Sequence, residues 1–200
     1  MSILQALLSS GGGPPVFVEW NTSMVDRKTS GTVTLGGQAI AGDRIYYVSM
    51  NNSANDGKIG GTPSGFTSIG TQIGDVDSHS RIAVKTAVGG ETTITASLDS
   101  GTRYVLFVFV VRNINTTLLS RYQSAYAEGA TFTNKGFSFL LTGTTEAENI
   151  STPSGYTSLN SGSVGDLAWG VSYRTRDAGS VAGQTIGTLE YTTSVLHIQS

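Results

Sequence analysis

Apolar and polar positions alternate in short runs along most of the chain, and turn residues separate the runs, which is the pattern of strands with one buried face. After Pro15, Val16-Phe-Val-Glu-Trp20 and Thr32-Val-Thr-Leu35 read as strands. Gly42-Asp43 opens Arg44-Ile-Tyr-Tyr-Val-Ser-Met50, and a polar loop, Asn51 to Gly57, follows. Gly65 to Ile69, Arg81 to Val88, a Gly89-Gly90 turn and Glu91 to Ser97 continue the series. Tyr104-Val-Leu-Phe-Val-Phe-Val-Val111 has no polar position, which predicts a central strand covered on both faces. Only residues 1–10 break the pattern. Ile3, Leu4, Leu7 and Leu8 share one side of a short helix there, and Gly11-Gly12-Gly13-Pro14-Pro15 ends it. An isolated helix this short needs a partner surface, so the peptide reads either as a frayed terminus or as an apolar plug that docks on a neighbouring subunit.

The order of elements recurs. Thr62-Pro-Ser-Gly-Phe-Thr-Ser-Ile69 returns as Thr152-Pro-Ser-Gly-Tyr-Thr-Ser-Leu159, a shift of 90 positions. An apolar strand precedes each turn (Arg44 to Val48, Gly136 to Leu141) and an alternating one follows (Arg81 to Val88, Asp166 to Arg174). Gln184 to Leu189 and Val195-Leu196 complete the second round. The fold expected is all-β: one antiparallel β-sandwich, jelly-roll-like, formed by two pseudo-repeats of about 90 residues behind the apolar peptide. The division is residues 1–15 for the peptide and its Gly/Pro linker and 16–200 for the sandwich. Half one covers about 32–114, a crossover 112–133, and half two about 134–200. Each half is expected to give strands to both sheets.

Charged residues make up 13% of the chain, against about a quarter in ordinary soluble domains. Net charge is −2 and no Lys/Arg cluster occurs, which argues against nucleic acid as a partner. With no cysteine there is neither a disulfide framework nor a thiolate metal site. The apolar start lacks a basic flank and is too short to span a bilayer, so neither a secretory leader nor membrane insertion is expected. The sequons at Asn21, Asn51, Asn115 and Asn149 read as turn residues in that setting.

Candidate chemistry is sparse. The only histidines are His79 and His197, and no Gly-x-Ser-x-Gly elbow accompanies either. In an extended Asp75-Val-Asp-Ser-His79, Asp75, Asp77 and His79 share a face. They are spaced about 6–7 Å apart, too far to hold one cation without a bend, so the segment is expected as a solvated loop. Glu146 and Glu148 are near neighbours in a loop, with nothing to mark them as acid and nucleophile. Tyr46, Tyr47, Phe66, Tyr156, Trp169 and Tyr173 could make a sugar platform, but Phe66 and Tyr156 hold equivalent repeat positions, which favours shared core packing. Tyr122 and Tyr126, in the crossover, are freer to serve an interface. The balance favours a non-enzymatic protein without a cofactor; the alternative is a carbohydrate-binding module of a secreted or cell-surface protein.

Gly42-Asp43, the turn Thr62 to Thr67, Arg81 to Thr93, Tyr104 to Ile114 and the second turn Pro153 to Thr157 together resemble a β-domain of tailed-phage virion proteins. The resemblance covers about residues 32–198. It departs at the turn aromatic, Phe66 and Tyr156 where the family usually has Trp, and in lacking a long partner domain. It implies a virion accessory: a tail-tip or fibre appendage, a head fibre, or a capsid decoration subunit. The partners implied are other virion proteins, further copies of the chain with a trimer admitted, and a host surface glycan.

Overall fold

The structure is a computed structural model that describes residues 13–52, 60–70, 73–74, 78–122, 126–127, 131–144, 150–180, 184–185 and 191–200. From the first half come β1 (Val16–Asp26), β2 (Ser30–Thr34), β3 (Arg44–Asn52), β4 (Thr67–Ser68), β5 (Ile73–Gly74), β6 (Ser78–Thr86), β7 (Thr93–Ser97) and β8 (Arg103–Arg112). The second half supplies β9 (Thr116–Tyr122), β10 (Tyr126–Ala127), β11 (Thr131–Phe132), β12 (Gly136–Thr144), β13 (Thr157–Val164), β14 (Leu167–Arg176), β15 (Gly179–Ser180), β16 (Gln184–Thr185) and β17 (Tyr191–Gln199). The described residues are all-β, and the paired strands run antiparallel.

Two large sheets make the sandwich. The first runs β1-β8-β3-β6, with β4 and β5 both on the outer side of β6, and the second runs β9-β17-β12-β14-β13. Residues 16–112 thus build one large sheet and the separate β2-β7 ribbon, and 116–199 build the other large sheet and the small pairs β10-β16 and β11-β15. The expectation that each half contributes to both sheets does not hold, and β8 shows why. Phe107, Phe109 and Val111 face the second sheet, while Tyr104, Leu106, Val108 and Val110 lie under the ribbon of β2 and β7. A strand apolar on both faces is satisfied by a cover on each side. The segment 112–133, expected as a crossover, contains β9, which pairs with β17 at the rim of the second sheet.

The shared core is aromatic. Phe109 stacks on Tyr46 with ring centroids 4.9 Å apart and on Phe139, across the sandwich, at 4.2 Å. Phe17 of β1 lies 5.2 Å from Tyr173 of β14, so the edge of the first sheet also leans on the second. Polar links cross as well: the Tyr46 hydroxyl meets Thr117 Oγ1 of β9 at 2.6 Å, and Ser80 Oγ of β6 lies 3.3 Å from Ser194 Oγ of β17. Each Pro-Ser-Gly turn closes with a bond from the aromatic N–H to the proline carbonyl (Phe66 to Pro63, Tyr156 to Pro153), both 3.1 Å. Gly65 and Gly155 stand at the third position with φ of +78° and +80°, which glycine adopts without strain.

Candidate functional site: an exposed apolar end and an open sheet edge

Most groups that could do chemistry hold the fold together. Asp43, 2% exposed, binds the Arg112 Nε and an Nη through its two oxygens at 2.9 Å each, and accepts the Ile40 N–H. This fork ties the Gln38–Asp43 loop to the end of β8. Glu91 accepts the N–H groups of Val88 and Gly89 and pairs with Lys85 at 3.1 Å, which fixes the Gly89-Gly90 turn. Burial works to raise its pKa, but the bonds from Val88, Lys85 and Gly89 outweigh it and hold the carboxyl below its usual value.

His197 belongs to a hydrogen-bonded chain on the outer face of the second sheet. Arg176 Nε donates to Ser138 Oγ at 3.0 Å, and Ser138 Oγ lies 3.0 Å from His197 Nδ1. A guanidinium only donates, so Ser138 Oγ accepts from Arg176. Burial first, and the Arg176 charge second, bring the imidazole pKa down to about 4. Ser138 is 0% and His197 3% exposed, with the Phe132 ring edge-on at 5.4 Å.

His79, expected in a loop, lies instead on β6 opposite Asn51, and is 4% exposed. Its companions Asp75 and Asp77 fall outside the described residues, as do Glu146, Glu148, Ile3, Leu4, Leu7 and Leu8. Among the described residues no group of three metal-ligating side chains occurs, and no helix is long and apolar enough to cross a membrane. Tyr122 ends β9 and Tyr126 starts β10, but their side chains lie outside the described residues. Tyr46, Tyr47 and Trp169 are buried in the core, so the six aromatics do not make one exposed platform. Phe66 packs on Tyr47 and lies under Lys85, and Tyr156 packs on Leu140 and Val195 and lies under Arg176, with 5.6 Å from cation to ring in both.

Two surface features stand out. The first is the end of the sandwich where β3 starts and β6 and β8 finish. Val88 is 82% and Ile40 41% exposed there. The N-terminal linker leaves from the same end: Asn113 Nδ2 holds the Pro14 carbonyl at 3.0 Å, and Pro14 and Pro15 wall a cleft of about 300 Å³ with Phe137 and Arg176. The second is β13. It lies at the rim of the second sheet, pairs with β14 alone among the described strands, and carries neither charge nor proline. Sequence patterning missed it. With both faces of Thr157-Ser-Leu-Asn-Ser-Gly-Ser-Val164 partly in solvent, no period-two alternation marks it as a strand.

Compared with protein-family models, with curated proteins and with solved structures, the chain finds no match in any of the three.

Proposed function

We propose that the chain is a non-enzymatic structural subunit of a tailed-phage particle, an accessory appendage of tail tip, fibre or capsid surface that acts in assembly or host attachment. The exposed apolar end carries this reading. There, exposed Val88 and Ile40 lie on the end from which the linker leads to Ile3, Leu4, Leu7 and Leu8. An apolar peptide on a short linker, together with exposed apolar side chains, is a means of anchoring to a larger body. The placement of Asp43, Glu91 and His197 supports it too, since each serves a loop, a turn or a sheet rather than an accessible cleft.

Deleting residues 2–13 should leave the melting temperature unchanged and abolish recovery of the chain with gradient-purified particles. Recovery of the truncated chain at full level would overturn the anchoring role. Absence of the intact chain from those particles would overturn the virion assignment itself.

A further inference from the structure

We propose that β13 is a homotypic docking edge, along which two copies of the chain pair antiparallel over Thr157–Val164 and join their five-stranded sheets across a twofold axis. The inference deepens the reading of the chain as an assembly subunit and rests on it.

An edge strand offers a row of unpaired N–H and C=O groups, and proteins ordinarily blunt it with charge, proline or brevity. The first sheet follows that rule. The strand after its Pro-Ser-Gly turn is cut to Thr67–Ser68 and Ile73–Gly74. The matching strand of the second sheet runs for 8 residues, and Thr157, Ser158, Ser161, Gly162 and Ser163 are exposed. Its one irregularity, a bulge between Ser158 and Asn160, is fixed from inside by Trp169 Nε1 donating to Asn160 Oδ1 at 2.7 Å.

The charges at its two ends point to a second copy as the occupant. In an end-to-end antiparallel overlap Thr157 stands opposite the partner's Val164, so Gly155 stands opposite the partner's Asp166. The guanidinium of Arg174 lies over Gly155, so close that a Cβ there would be 2.7 Å from Nη1. Within its own chain Arg174 has no ion pair among the described residues, and Asp166, 78% exposed, reaches Arg103 only at 4.0 Å. The twofold therefore makes the Arg174–Asp166 contact twice. It also sets each bulge against the regular half of the other strand, and a neutral edge meets its own copy without opposing like charges. An isologous edge of this kind closes at two copies rather than the trimer that the sequence admits.

Sedimentation equilibrium of the purified full chain should show a reversible dimer. Ser163→Lys, at an exposed position, should shift it to monomer at an unchanged melting temperature. Asp166→Arg or Arg174→Asp alone should weaken association about tenfold, the contact being made twice, and the two together should restore it. A monomer at every concentration overturns the inference, as does a dimer indifferent to Ser163→Lys and to the charge exchange. A monomeric chain that still enters particles removes this inference alone; a β13 dimer absent from particles removes only the virion assignment.

Discussion

Phe109 is fully buried between Tyr46 of its own sheet and Phe139 of the other, so its ring is a wall that both halves share. Phe109→Ala should lower stability by about 3–5 kcal/mol in denaturant titration, while Val88→Ala, out in solvent, should stay within about 0.5 kcal/mol. His197 sets a pH dependence of definite sign. Its pKa is about 4 in the folded protein against 6.5 for an ordinary imidazole, so below pH 6.5 the unfolded chain binds the extra proton. Stability is complete above pH 6.5 and falls as the pH drops toward 4, by roughly 3 kcal/mol in all. His197→Gln should flatten that slope when unfolding is measured at several pH values; an unchanged slope would show that other groups carry it. The Ser138 and Arg176 partners were beyond sequence reasoning. They come from two other strands, and nothing in the local pattern around His197 names them.

At the scale of elements, strands with uniform burial were legible and those at rims were not. The run Tyr104 to Val111 gave β8 almost to the residue, because Arg103 and Arg112 mark both ends of a fully buried segment. β1 runs on to Asp26, beyond the apolar stretch ending at Trp20, since continued pairing with β8 outweighs the polar Asn21-Thr-Ser. β6 starts at Ser78 rather than Arg81 because Ser80 is buried between the sheets, 3.3 Å from Ser194 Oγ, a polar contact that a hydrophobicity pattern does not show. β9 lies in the expected crossover: its neighbour in the sheet is the distant C-terminal strand, so only topology identifies its role. That topology carries a prediction. β17 lies between β12 and β9, so losing it would uncover both. A chain ending at residue 190 should be recovered as aggregate or as material without cooperative unfolding, unlike the deletion of residues 2–13, and circular dichroism on the soluble fraction separates the outcomes.

For the whole molecule the decisive fact is where the largest core lies. Each half has a sheet of its own, and β2 and β7 cover the outer face of the first, so separate folding of the halves would be conceivable from topology alone. The core between the sheets argues otherwise. Tyr46, Phe107, Phe109 and Ile82 from one half close against Phe137, Phe139, Trp169 and Ile198 from the other. Either sheet alone would expose a wide aromatic face to water, at about 25 cal/mol per Å² of apolar surface, which a half of this size has little other core to offset. Calorimetry of the full chain should therefore show one transition whose van't Hoff and calorimetric enthalpies agree. Phe139→Ala, made in the second half, should lower protection from hydrogen exchange in β3 and β8 of the first by the same free energy as in β12. Two separable transitions, or a loss of protection confined to the second half, would mean that the halves are independent units that merely touch.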